Sequence, residues 1–267
     1  MKIGFIQFAP VLGDVRATMG KIERLIGLAT GADLLVLPEL CNSGYNFASH
    51  EQAWATSEEI SDSVFVQHLE SLCQCHDLHI VSGFNERDGD RLYNSAILIG
   101  PRGYVGRYRK LHLFMDEKDH FEPGDAGLPV FDIGWCRVGM LVCFDWMFPE
   151  AWRVLALKGA DVICHPSNLV LSGLAQRAVP VHALTNRLYV VTANRIGTER
   201  SLSFTGLSTI ANPGGEVLVQ ASPSEEEVSL VDADVSLARD KHITSRNHIF
   251  ADRRPQEYSL LLKKGGA

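Results

Sequence analysis

The chain has 267 residues, 46% of them apolar and 21% charged, enough for a sizeable core in one large domain or two small ones. Its formal net charge of -7 argues against a nucleic-acid surface, which would want clustered Lys and Arg. No apolar run is long enough to span a membrane, and the start, "MKIGFIQFAP", lacks a signal-peptide core, so a cytoplasmic protein is expected. In chain order, "IGFIQFA" reads as a strand and "ATMGKIERLIGLA" as a helix with apolar positions near 3.6 spacing. "ADLLVLPEL" is a buried strand that Pro38 brings to an end, and residues 62–76 suggest a second helix. "LHIVSGFNE" and "LYNSAILIG" form a hairpin across "RDGDR", where Asp-Gly supplies the positive φ of a tight turn. "PRGYVGRYRK" adds a turn and a strand, and the weakly periodic 111–127 reads as a long loop.

The second half repeats the alternation. "LPVFDI" and "CRVGMLVCF" read as strands, "PEAWRVLALKG" as a helix, "ADVICHPS" as a strand, 174–187 as a helix and "LYVVTANRIG" as a strand. "GLSTIANP" and "EVLVQA" flank Pro-Gly-Gly, and "VSLVDADV" is a candidate third strand. "ADLLVLPE" and "ADVICHPS" share an Ala-Asp entry, an apolar run and a proline, a hint of two similar halves. No linker or low-complexity block interrupts the chain. Hairpins mixed with strand–helix–strand units predict two layers of mixed sheet covered by helices, in a single domain.

Six scattered cysteines without a secretory signal argue against a disulfide framework. Cys73-x-Cys75 has no second pair, and no histidines are spaced as H-E-x-x-H, so no metal is expected. Cys143 falls in the bend between a strand end and the helix that opens with Pro149 and Glu150. Free backbone N–H groups gather at such a bend and can bind an anion, although a buried cysteine is by itself an ordinary core residue. Glu39 stands directly after "LLVLP", where loss of water strengthens it as a base for a thiol; the bland alternative is a loop cap or a partner for a surface lysine. Lys110 ends a strand and Glu117 follows seven residues later. A lysine beside a reacting carbonyl stabilises charge on its oxygen, and a glutamate can hold that lysine, but each alone reads equally as a solvated charge. These stretches show no evident Cys–His pair.

Together, "LPEL", "YRKLHLF" with the following "DE", and "CFDWMFPE" present Glu, Lys, Glu and Cys in that order. With "NSGYNF", "YNSAILIGPRG" and "HPSNLV", the chain from "IGFIQFAP" to about Tyr258 resembles the nitrilase superfamily of carbon–nitrogen hydrolases. The resemblance implies an α/β fold, a four-layer α-β-β-α sandwich with two mixed sheets, over residues 1–258, and leaves 259–267 as a short tail. It implies catalytic Glu39, Lys110, Glu117 and Cys143, no cofactor, and homodimers paired across a helical face. The backbone N–H of Phe144 would assist Lys110 as an oxyanion donor. Tyr45, Phe114 and Trp146 lie near the catalytic stretches as candidate substrate-binding residues, and Asn168 reaches in from another strand end. Many nitrilases carry Trp-Glu after the cysteine, whereas this chain has Phe-Asp, and it lacks the long C-terminal extension of filament-forming nitrilases. Both features point to a small aliphatic amide as substrate, with a small aliphatic nitrile as the alternative. A non-catalytic binding module on the same fold is weakened by the presence of all four residue types. A redox sensor would need a resolving partner for Cys143, and the sequence names none.

Overall fold

The computed structural model describes residues 1–263. The first sheet has the order β14-β1-β2-β3-β4-β5, in which β14 is Glu227–Asp232. β1 (Lys2–Gln7), β2 (Leu34–Val36) and β3 (His79–Asp88) run parallel. β4 (Arg91–Gly100) and β5 (Gly103–Arg109) follow as antiparallel hairpins. The β3–β4 turn is the Asp-Gly turn expected, with Gly89 at φ +62°.

The second sheet, β13-β12-β9-β8-β7-β6, repeats the plan. β7 (Arg137–Met140), β8 (Val162–Ser167) and β9 (Tyr189–Asn194) are parallel. β6 (Val130–Asp132), β12 (Thr209–Ala211) and β13 (Val217–Gln220) are antiparallel additions at the two edges. A short hairpin, β10 (Thr198–Glu199) with β11 (Leu202–Ser203), stands outside both sheets. The two Ala-Asp-led stretches are β2 and β8, each the middle of its parallel trio.

Period-two alternation builds the layers. On the first sheet Ile3, Phe5, Leu34 and Val36 join the core shared with Val138, Met140, Val162 and Val190 of the second. The alternate residues Ile6, Leu35 and Leu37 pack against Ile22 and Leu25 of α1 (Val15–Ile26). The short α2 (His50–Ala55), absent from the periodicity, leads to α3 (Val64–His76), whose Phe65 and Leu69 complete that layer. Beneath the second sheet lie α5 (Pro149–Leu157), with Trp152 and Leu155, and α6 (Leu174–Asn186), with Val179 and Ala183. The chain is thus an α-β-β-α sandwich with two mixed sheets.

Three details refine the expectations, and one of them, the loop at 111–127, is corrected. β14 (Glu227–Asp232) leaves its sequence neighbours and pairs antiparallel with β1, because the open edge of the first sheet lies at that end. Residues 111–127 are not wholly loop: one helical turn, α4 (Glu117–His120), is set in them and carries Glu117. A 3-10 helix, Pro255–Leu262, spans the expected domain end at 258; of the expected tail 259–267, residues 264–267 lie outside the described residues. After β14 the chain adds α7 (Val235–Arg239).

Candidate active site

The two sheets deliver one cluster from four stretches. Glu39 lies three residues beyond β2, in a loop that crosses β3 so closely that a Cβ at Gly83 would strike the Glu39 backbone. Gly83 N–H donates to Pro38 O at 3.0 Å and Cys41 N–H donates to Gly83 O at 3.1 Å, which fixes the loop. Leu40 then takes φ +46°, a left-handed conformation strained for a side chain of that size.

Lys110 follows β5 and is buried. Its backbone N–H donates to Asn94 O at 2.8 Å, and its carbonyl accepts from Gly124 at 2.9 Å. Lys110 Nζ donates to Glu39 Oε1 at 2.7 Å and to Glu117 Oε1 at 2.8 Å. An ammonium has three hydrogens, so one remains for a substrate. Burial opposes the charge on Lys110, but Glu117 and Glu39 outweigh it and hold the ammonium above its usual range. Burial pushes the Glu117 carboxyl up to about 7; Lys110 pulls it down and Glu39 pushes it up. Tyr45 OH donates to Glu117 Oε1 at 2.7 Å, Phe114 N–H to Oε2 at 3.2 Å, and Asn94 Nδ2 to Glu39 Oε1 at 2.7 Å.

Cys143 opens a 3-10 turn, Cys143–Met147, immediately after β7, and its φ is +42°. Its thiol is pushed well up by burial, then by the negative charge of Glu39; Lys110 and a backbone hydrogen bond from Asn168 pull the other way. The sulfur is therefore within the field of all three charged partners. Asp145 pins this turn from below. Its Oδ2 accepts from Val142 N–H and Tyr108 OH, both at 2.8 Å, its Oδ1 lies 2.6 Å from His112 Nδ1, and its carbonyl accepts from Trp152 Nε1 at 3.1 Å. His165 Nε2 donates to the Cys143 carbonyl at 2.9 Å, and burial holds its ring down to about 4, hence neutral near pH 7. The imidazole holds the turn's backbone through that carbonyl.

A narrow cleft leads to the cluster. Two adjoining hollows of about 20 and about 10 Å³ are separated by Phe114 and Val170, which line both. The first holds Tyr45 and Glu117, and the second holds Cys143, Phe144, Trp146 and Asn168. Each is roomy enough for about one water. Two wider hollows, about 450 and 600 Å³, contain none of the four cluster residues. All nine residues singled out in the sequence thus gather at one place. Sequence reasoning does not find Asn94, Asp145 and His165 as members of the site. The Phe-Asp after the cysteine drew attention to Asp145 only as a departure from Trp-Glu. Among the described residues no group of three or more His, Cys, Asp or Glu could hold a metal ion.

A family model, carbon-nitrogen hydrolase, matches residues 2–242. The chain belongs to the carbon–nitrogen hydrolase family. This hydrolase is 48% identical over 260 residues to a nitrilase of Pyrococcus abyssi, covering 97% of this chain and 99% of the relative. It is 32% identical to an N-carbamoylputrescine amidase of Solanum lycopersicum, over 99% and 96% of the two chains. Among solved structures, a carbon–nitrogen hydrolase from Helicobacter pylori G27 superposes with a TM-score of 0.88 at 26% identity, covering 99% of each chain. Membership in the nitrilase superfamily and its sandwich fold follow.

Proposed function

We propose that the chain hydrolyses a small aliphatic amide to the acid and ammonia through a thioester on Cys143. The observation that carries this reading is the buried Lys110 held between Glu39 and Glu117 with the Cys143 thiol in their field. In this reading Glu39 takes the thiol proton as the Sγ–C bond forms. Lys110, through its remaining hydrogen, and the Phe144 N–H meet the charge that collects on the substrate oxygen. Glu39 returns the proton to the nitrogen as the C–N bond breaks and ammonia departs. The same carboxylate then takes a proton from water, which attacks the thioester; the C–S bond breaks and the thiol regains its proton. Glu117 orients Lys110 and the substrate.

The choice of amide over nitrile is supported by unpaired acceptors. Glu39 Oε2 and Asn168 Oδ1 are buried without a partner among the described residues. The thiol and then the leaving nitrogen can serve the first. A carboxamide brings a further N–H for the second, and a nitrile carbon–nitrogen bond brings none. The cleft's aromatic walls and small volume favour a short apolar acyl group. Nitrile hydrolysis is the second reading, because the Pyrococcus relative at 48% identity is named a nitrilase. A panel of short aliphatic amides and nitriles, with ammonia release followed by a coupled assay, tests both. A preference for nitriles of about tenfold or more, worth about 1.4 kcal/mol in the barrier, reverses the order.

The chain is also proposed to form a homodimer. Val154 and Leu157 on α5 and Val181 and Leu184 on α6 leave an exposed apolar face. No helix among the described residues is long and apolar enough to cross a membrane.

A further inference from the structure

Behind Tyr45 lies a buried ion pair that the reaction above does not use. Arg195, just after β9, and Glu199, in β10, are 2% and 6% exposed. Arg195 Nη1 donates to Glu199 Oε1 at 2.8 Å. The guanidinium also sits over the Phe204 ring at 4.2 Å, and Phe204 meets the Tyr45 ring edge-on at 5.9 Å. Glu199 Oε2 accepts the backbone N–H groups of both Tyr45, at 2.8 Å, and Asn46. Asn46 Nδ2 donates to the Glu199 carbonyl at 2.8 Å. Gly44, at φ +83°, lets this loop fold against Glu199 Oε1, where a Cβ would come within 2.9 Å. Taking two charges out of water is costly, so the pair needs a reason beyond stability. What it holds is a loop whose one polar side chain at the cluster is the Tyr45 hydroxyl.

We propose that Glu199, clamped by Arg195, is a positioning residue: it fixes Tyr45 so that the phenol donates to Glu117 and keeps that carboxyl ionised. The inference rests on Glu117 acting in the hydrolysis proposed above. Glu117 Oε1 is shared by Tyr45 OH and Lys110 Nζ, and both donors favour the carboxylate. The groups facing Glu117 are Lys110 after β5, Glu39 after β2, Tyr45 in the next loop and Cys143 at the nucleophile turn. Asp116 and His120 flank it along the same cleft. If Tyr45 swings away, Glu117 loses a donor, takes up its proton at higher pH, and holds Lys110 less well.

The sign of the effect separates positioning from a direct charge effect. Neutralising Glu199 alone leaves Arg195 positive, and a purely electrostatic influence would then lower the pH at which Glu117 titrates. Action through Tyr45 raises it. The experiment follows the protonated-carboxyl infrared band of the full chain against pH, with the band assigned by its loss in Glu117→Gln. Tyr45→Phe should move the midpoint up by about one pH unit, the worth of one hydrogen bond to a charged group. Glu199→Gln should move it in the same direction, and adding it to Tyr45→Phe should move it no further. Should Glu199→Gln fail to fold, the double change Arg195→Met with Glu199→Gln removes both buried charges and should give the same upward shift. An unchanged or lowered midpoint in the folded Glu199 variant, or a further shift in the double variant with Tyr45→Phe, overturns the proposal. The acid limb of kcat/KM on the amide panel should move with the infrared midpoint. If the wild type hydrolyses no member of the panel, the hydrolase reading fails, while the infrared titration still decides this one.

Discussion

Lys110 Nζ, two carboxylates and one thiol share a volume from which water is nearly excluded, so each proton there is held by neighbours. Cys143→Ala should abolish turnover with an unchanged circular dichroism spectrum and melting temperature; residual hydrolysis at wild-type rates would refute the covalent route. Lys110→Ala removes an oxyanion donor and should cost about 10²–10³ in kcat. It also strands two buried carboxylates, so the melting temperature should fall with a loss of about 3–5 kcal/mol, the cost of breaking a buried pair. With the Glu117 carboxyl raised to about 7 from an ordinary 4.5, the folded state binds more protons than the unfolded one between those values. Stability from this group is therefore present below about pH 4.5 and is lost as pH rises through about 7. Activity should run the other way, because the ionised carboxylate orients Lys110. The kcat/KM profile should rise through about pH 7, and that limb should vanish in Glu117→Gln, which still forms the thioester. A limb that survives Glu117→Gln would assign it elsewhere.

At the scale of elements, the chemistry depends on how tightly the strand-end loops are pinned. The nucleophile turn, Cys143–Met147, combines a left-handed first residue with a buried aspartate that accepts from β7's end, from Tyr108 and from His112. Asp145→Ala leaves the Val142 N–H and the Tyr108 hydroxyl without their acceptor, at about 1–3 kcal/mol each. Denaturant titration should show that loss, and kcat should fall although Asp145 touches no substrate. An unaltered kcat in the folded variant would show that the turn holds its shape alone. Gly83 plays the matching part for Glu39. A Cβ there forces β3 and the Glu39 loop apart, so Gly83→Ala should destabilise by about 1–3 kcal/mol, as overpacking does, and lower kcat together with stability. β5 is anchored from behind by Arg109, whose Nε donates to Glu86 at 3.2 Å and whose Nη1 donates to Asp125 at 2.9 Å. Lys110 therefore leaves a fixed strand end.

For the whole molecule, the two sheets stack so that one end of each contributes to the cleft: Glu39 and Lys110 from the first, Cys143 and Asn168 from the second. Neither sheet alone makes the cluster, so loss of the packing between them removes activity before it removes secondary structure. The exposed apolar residues of α5 and α6 belong to this scale as well. Light scattering should give twice the chain mass, and Val181→Asp with Leu184→Asp should yield a monomer that remains folded. A wild-type mass equal to one chain would sink the pairing.

Glu39, Lys110 and Cys143 could be found in the sequence because each sits beside a local signal: an apolar run before Glu39, a strand end at Lys110, a strand-to-helix bend at Cys143; Glu117, in a stretch that reads as loop, came only with the order of the four. Their order then matched a known superfamily. The strands themselves were equally plain, since burial on both faces leaves an apolar run and Asp-Gly marks a hairpin. Partner choice was not. β14 crosses to β1 over more than two hundred residues, and nothing local in "VSLVDADV" distinguishes one sheet edge from another. Asn94, Asp145, Arg195 and Glu199 act through hydrogen bonds to residues distant in the chain or to backbone atoms, which carry no side-chain pattern to read. The sequence by itself determined which groups could do chemistry and which of the longer segments would be strands and helices, though not the short α2, α4 and the β10–β11 hairpin. Only the tertiary structure decided how many hydrogens Lys110 has left to give, which oxygens lie unpaired, and who holds Tyr45. Those are matters of distance and burial, and both arise when separate stretches of chain exclude water from the same place.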